Sequence, residues 1–289
     1  MTVRWARLIP VLTYVQAHLE RKLTLSLLSK RAGLSPSRFH HVFAAAVGET
    51  PRAYVERLRL ERAAFRLLFH DSSMLRIAID SGYRNPETFG RAFRRRHDLA
   101  PREYREWAQQ QISTRRDPAR QRALPATAEC TLGATKVTQL RPAHLASIRH
   151  VGPYELVPES IFDQLEAWAR RRRIPGPRIW MGIGHDAPLT TVPEKLRFDA
   201  ALVVPTPFEA QDDIGYQYFA GGAFAVTTHV GEYTTLPAAY QRVFQRLKSL
   251  RGYQVIGLPA IEIYHTVAVS LAARLNQTDI CLPVTPLLR

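Results

Sequence analysis

The chain has 289 residues, 46% of them hydrophobic and 22% charged, with a formal net charge of +15. That length points to about two domains, and that balance to folded protein. No run of roughly 18 apolar residues occurs, which excludes a membrane-spanning helix, and two cysteines cannot supply a metal cluster or a disulfide framework.

The charge is unevenly placed. Residues 1–112 hold 20 Lys and Arg against 10 Asp and Glu, residues 113–128 hold 4 against 1, and residues 129–289 hold 16 against 14. A polyanion-binding first part joined to a nearly neutral second part is the expectation. The first twenty residues place basic residues before an apolar run, as a leader would. Gln16, His18 and Glu20 interrupt that run, so it reads as an amphipathic helix. The chain is expected in the cytoplasm, with Cys130 and Cys281 as reduced thiols.

Two segments of the first third repeat each other. Phe39, Phe43, Pro51 and Tyr54 recur as Phe89, Phe93, Pro101 and Tyr104, 50 positions on, and Gly33 recurs as Gly82. In the first copy a short helix up to Ala32 precedes Gly33, where a tight turn needs a positive φ. Ser35 and Pro36 then open a longer helix as cap and first residue, with Phe39, Val42 and Phe43 inward. The second copy runs Ile77 to Asp80, Gly82, a cap at Asn85, Pro86, and then Phe89, Ala92 and Phe93. Each copy is a helix-turn-helix signature. Between them, residues 51–69 read as one long connecting helix.

These positions resemble the AraC/XylS family of regulators. The resemblance is carried by Phe39, Phe43, Gly48, Pro51, Tyr54, Arg59, Ala63, Ile77, Ala78, Gly82, Tyr83, Phe89, Arg91, Phe93, Pro101, Tyr104 and Arg105, over residues 8–107. It departs at His97 and Asp98, where the family has an aromatic residue and a glycine; Asp accepts a left-handed backbone better than most residues. The resemblance implies an all-α domain over 1–112 whose two recognition helices enter successive major-groove segments of double-stranded DNA. Ser37, Arg38 and His41 match the base-facing positions of the first helix, and Glu87, Thr88 and Arg91 those of the second. Arg91 suits bidentate contact to guanine, with a salt bridge or a phosphate contact as its alternative; Thr88 suits a thymine methyl or a phosphate, and Glu87 a cytosine amino group. Arg94, Arg95 and Arg96 suit phosphates or solvent, and Arg95 is retained as a DNA contact. Two reading heads in one chain permit binding as a monomer, with RNA polymerase as a further partner.

Residues 113–128, rich in Arg, Ala and Pro, read as a flexible tether. Residues 129–289 hold a second repeat, in which His150, Val151, Gly152, Tyr154 and Pro158 recur as His229, Val230, Gly231, Tyr233 and Pro237, 79 positions on. Each copy reads as strand, glycine turn and amphipathic helix, with stripes at Ile161, Phe162, Leu165, Trp168 and at Tyr240, Val243, Phe244, Leu247. Further strands are expected at 179–183, 198–204, 261–265 and 279–284. The second domain is therefore α+β, with two pseudo-symmetric halves around a central crevice.

RHVGPY (149–154), GIGHDAP (182–188), KLRFDAALVV (195–204), GGAFAVTTHVGEY (221–233), IEIYH (261–265) and TDICLPV (278–284) resemble, in order, the GyrI-like effector-binding domain. That resemblance implies a strand glutamate facing an aromatic-lined pocket for bulky cationic or amphipathic molecules. Glu262 matches it, with Tyr264 on the same strand face. Trp180, Tyr154 and Tyr233 are further lining candidates, followed by Phe208 and Tyr218. The pairing of His150 with His229 by the repeat suggests a metal site, but no third ligand accompanies them, so no metal or cofactor is expected. The leading reading is a DNA-binding regulator tuned by a small molecule, not an enzyme. Two others stay open: a ligand-free protein-interaction module, and a weak hydrolase using Glu262, for which no nucleophile–base constellation is visible.

Overall fold

The computed structural model describes residues 8–70, 72–114, 130–188, 190–247, 250–257, 259–265 and 276–287. The chain divides into two compact units, Met1–Thr114 with Phe208–Gln217, and Arg115–Pro207 with Tyr218–Arg289. No helix among the described residues is long and apolar enough to cross a membrane.

The first unit is helical. After α1 (Ile9–Ala17), the seven-residue α2 (Leu25–Arg31) turns at Gly33, φ 64°, into α3 (Pro36–Val47). The second copy repeats this as α5 (Met74–Asp80), Gly82 at φ 79°, and α6 (Pro86–His97). Ser35 and Asn85 cap the two longer helices by accepting from the backbone N–H of Arg38 and Thr88, which satisfies donors that the first turn leaves free. A seven-residue helix is too short to persist alone. Burial of Leu28 on α2, and of Ile77 and Ala78 on α5, holds each in place.

One long helix, α4 (Pro51–Phe69), serves both halves. Tyr54, Val55 and Leu58 join a core with Leu12, Val15, Leu28, Phe39 and Phe43. Leu60, Ala63, Ala64, Leu67 and Leu68 join a second core with Ile77, Phe89, Phe93 and Tyr104. Its 19 residues span about 28 Å, so the two reading units hang on one strut. The last helix, α7 (Pro101–Thr114), closes the second core through Tyr104 and Ala108. It runs two residues into the stretch read as a tether, the rest of which lies outside the described residues. Where α3 ends on Gly48 at φ 75°, α6 ends on Asp98 at φ 58°. Asp98 thus adopts the left-handed conformation in place of a glycine.

The second unit is an antiparallel sheet with two helices. Its strands are β1 (Thr131–Leu132), β2 (Lys136–Leu140), β3 (Ala143–Val151), β4 (Trp180–Gly184), β5 (Arg197–Val204), β7 (Gly222–Val230), β8 (Tyr253–Val255), β9 (Ala260–Tyr264) and β10 (Gln277–Pro286), while β6 (Gly215–Phe219) has only its last two residues in this unit. Helix α8 (Ser160–Arg171) follows β3, and α9 (Leu236–Leu247) follows β7. The order is β1-β7-β10-β9-β4-β5-β3-β6, with β2 on β7 and β8 on β10. Read outward from the centre, β4-β5-β3 mirrors β9-β10-β7, so the repeat in sequence is a pseudo-two-fold in the sheet and β4–β9 is its seam. One face of the sheet gathers Leu145, Met181, Ile183, Ala201, Phe224, Ile261 and Cys281 into a core. On the other face α8 packs over β3 and β5, and α9 over β7. The seam between the helices is the floor of a crevice.

Candidate functional site

The two recognition helices divide their residues cleanly. On α3, Phe39 and Phe43 are fully buried while Ser37, Arg38 and His41 are exposed. On α6, Phe89, Ala92 and Phe93 are buried while Glu87, Thr88 and Arg91 are exposed. The 3.6-residue period produces this division in both cases. The arginines of α6 differ in their engagements. Arg94 meets Glu103 at 3.3 Å, Arg95 meets Glu56 at 2.6 Å, and Arg96 meets Glu61 at 3.3 Å. Arg91 has no hydrogen-bond or ion-pair partner among the described residues, so its guanidinium is available for an external acceptor. Behind this face, within the first unit, a buried network ties the two helix-turn-helix copies together: Arg57 reaches Glu49 at 2.6 Å and Glu61 at 3.1 Å, and Glu61 also takes Arg96.

In the crevice, the register sets Gly182 opposite Glu262 and Trp180 opposite Tyr264 across the seam. Alternation along the strands turns all four toward the helices. Glu262 Oε1 accepts from Tyr240 Oη on α9 at 2.9 Å, and its Oε2 accepts from Tyr264 Oη at 2.5 Å. Burial raises the Glu262 carboxyl above its ordinary value, and the two phenol donors recover only part of that cost. Burial and the nearby carboxylate together hold Tyr240 and Tyr264 well above the ordinary phenol value, so both remain hydrogen donors. Phe162 of α8 and Tyr233 stand edge-on to Tyr264 at 5.7 and 5.6 Å between centroids. A carboxylate thus lies within an aromatic box, the arrangement that attracts an organic cation through charge and ring quadrupoles.

Comparison with known proteins fits both halves of this description. A GyrI-like small molecule binding domain matches residues 134–285, more than half of the chain. The chain belongs to the GyrI-like family. A helix-turn-helix domain matches residues 28–106, and that unit is of the AraC/XylS type. An HTH-type transcriptional regulator of Mycobacterium tuberculosis is 41% identical over 78 residues, 27% of this chain and 30% of that protein. The regulatory protein SoxS of Escherichia coli K12 is 30% identical over 95 residues, covering 33% of this chain and 89% of SoxS. A DNA gyrase inhibitor of Cronobacter sakazakii is 31% identical over 123 residues, covering 42% and 78%. This chain therefore spans less than a third of the first relative's length, and most of the other two.

Within the GyrI-like domain the expected lining residues have different surroundings. Tyr233 is exposed beside Tyr264. Trp180 is buried behind Phe162, 6.1 Å between centroids. Tyr154 spends its hydroxyl on the backbone, donating to Asp186 O at 2.8 Å and accepting from Asp186 N at 3.0 Å, so only its ring faces Phe198 and the seam. Tyr218 packs on His144, and Phe208 on Tyr216. His150 and His229 lie on β3 and β7, five strand spacings of ~4.8 Å apart, too far to share an ion. Each bonds the turn that follows its own strand instead, His150 to Pro153 O and His229 to Thr235 Oγ1. The sequence reading omitted Tyr240, Phe162 and Gly182 from the site. It also omitted a buried cluster on the other face, where Arg149 bonds Asp199 in two places, at 2.6 and 2.7 Å, and His185 joins at 2.7 Å. Burial favours a neutral Asp199, but Arg149 and His185 outweigh it and hold the carboxyl well below its usual range.

Proposed function

We propose that the chain is a transcription regulator that reads a bipartite promoter site, with α3 and α6 in successive major-groove segments, under the control of a bulky organic cation in the crevice. The observation that carries the DNA half is the pair of exposed faces, Ser37, Arg38, His41 and Glu87, Thr88, Arg91, on helices fixed to the single strut α4. Half-sites about 34 Å apart suit two such heads, and one chain then occupies the whole site as a monomer. Activation, where it occurs, passes through contact with RNA polymerase.

The effector half rests on the Glu262 box. A ligand changes DNA binding only by binding the two states unequally. Adding tetraphenylphosphonium should therefore shift the Kd for the cognate duplex in fluorescence anisotropy, and Glu262→Gln should abolish the shift. Unchanged DNA affinity despite cation binding would leave a crevice that binds but does not regulate. A ligand-free interaction module is the reading left if no cation binds.

A further inference from the structure

Helix α9 makes polar contacts on two opposite sides. Toward the crevice, Tyr240 Oη donates to Glu262 Oε1 at 2.9 Å. Away from it, Arg242 donates to Cys130 O at 3.3 Å and Arg246 to Gly133 O at 2.6 Å. At about 100° per residue, Arg242 and Arg246 lie roughly 200° and 240° around the helix from Tyr240. The body of α9 therefore stands between the carboxylate of the crevice and the backbone of residues 130–133.

That backbone is where the chain enters the second domain. Helix α7 ends at Thr114, and Cys130 is the first described residue after it. Strand β1 has only two residues, Thr131 and Leu132, paired with Val230 and His229 of β7. Gly133 N adds one bond, to Thr228 O at 2.8 Å. So short a ladder leaves the two arginine bonds a substantial share of the hold on this segment.

The first half of the domain is built differently at each of these places. Phe162, the α8 residue beside Tyr264, has no hydroxyl to give a carboxylate. Gly182 occupies the strand position that mirrors Glu262. On the outer edge of β3 lies β6, where β7 carries the entry strand β1. The pseudo-two-fold is thus broken at the three points that a link from crevice to chain entry requires.

We propose that α9 is a relay: a bulky cation that pairs with Glu262 displaces the Tyr240 hydroxyl, shifts α9, and loosens the hold of Arg242 and Arg246 on residues 130–133. The inference rests on the effector reading above and gives it a route out of the crevice. The β4–β9 seam is the crevice floor and α9 is one wall, so a ligand that fills the aromatic box competes with Tyr240 for Glu262 Oε1. Packed helices that switch move by about 1–2 Å, and a hydrogen bond already at 3.3 Å does not survive such a lengthening. Arg242 and Arg246 bond outside the crevice and act as positioning residues for the chain entry.

Amide hydrogen exchange of the Thr131–Gly133 segment, read by mass spectrometry on the full chain with and without tetraphenylphosphonium, tests the relay. Tryptophan fluorescence gives the cation affinity of each variant. In the parent chain the cation should speed exchange at this segment at least tenfold and leave β3 unchanged; Glu262→Gln should remove the effect. Arg242→Gln/Arg246→Gln should exchange fast without cation, ignore its addition, and keep the parent's cation affinity within twofold. In the same variant the cation-induced shift of the DNA Kd should shrink at least threefold. If the double variant does not fold, Tyr240→Phe cuts the relay at its other end and should likewise speed exchange without cation. Exchange that stays unchanged or slows while the cation binds, or a double variant that keeps the parent's response, overturns the proposal. Absence of cation binding overturns the effector reading and the relay together. If cation binds but DNA affinity does not respond, regulation by the crevice fails and the exchange measurement alone decides the relay.

Discussion

Gly182 stands directly opposite Glu262 across the β4–β9 seam, and the Tyr264 hydroxyl that donates to Glu262 rests where a side chain at 182 would be. A Cβ at 182 would lie 2.4 Å from that hydroxyl and 2.7 Å from Phe198 Cζ. In a pseudo-two-fold sheet, one half supplies the acid and the other supplies the space for the ring that holds it.

Gly182→Ala is therefore expected to push Tyr264 off Glu262. Overpacking of this kind costs about 1–3 kcal/mol. The melting temperature should fall and tetraphenylphosphonium should bind more weakly. Full cation affinity in this variant would show that the Tyr264 clasp is irrelevant to the site.

Glu262 carries a stability cost at neutral pH. Its folded-state value is raised, so the unfolded chain releases the proton first, and stability declines as pH rises from the ordinary carboxyl range through the raised value. Glu262→Gln should melt higher than the parent chain near pH 7, and the difference should vanish near about pH 3.5, where both states are protonated. Cation affinity of the parent chain should fall over the same interval as pH is lowered. A pH-independent difference in melting would mean that the carboxyl does not titrate as described.

His97 stacks on Phe93 at 4.4 Å and packs on Tyr104 at 5.3 Å, in the position where the AraC/XylS pattern has an aromatic residue. Burial, then Arg96, pushes it down to about 4. The unfolded histidine protonates near 6.5, so the first unit should lose stability as pH falls from about 6.5 toward 4. His97→Phe should flatten that loss in thermal melts at pH 7 and 5. An equally steep loss in the variant would place its origin elsewhere.

Much of the first unit could be read before any coordinates. Phe39, Phe43, Phe89 and Phe93 are buried to within 1% exposure, because helical period and glycine punctuation are local signals. The crevice was only half legible. Glu262 and Tyr264 share a strand face by alternation alone, whereas Tyr240 lies 22 positions earlier on a helix. Its place in an apolar stripe shows that it turns inward, but not that it meets a carboxylate instead of core. Periodicity also cannot tell a ring from its hydroxyl, and so Tyr154 reads as lining while its oxygen serves the Asp186 backbone. The Arg149, Asp199 and His185 cluster joins residues up to 50 apart, a proximity that only strand register creates.

Arg91 and Arg95 lie four residues apart on α6, yet only Arg95 is committed, to Glu56. Arg91→Ala is expected to cost about 1–3 kcal/mol of DNA affinity and to relax preference at one base pair. Arg95→Ala should weaken all sequences alike and by less, since an exposed ion pair is worth little. Anisotropy titrations against a site and its single-base variants distinguish the two; equal losses without altered preference would remove Arg91 from base reading.

The most direct test of the account is selection of bound duplexes from a random pool by the full chain. Two short half-sites about one helical turn apart, bound by one chain, are the expected result. Enrichment of a single unpaired half-site, or of no sequence at all, would contradict reading by both α3 and α6.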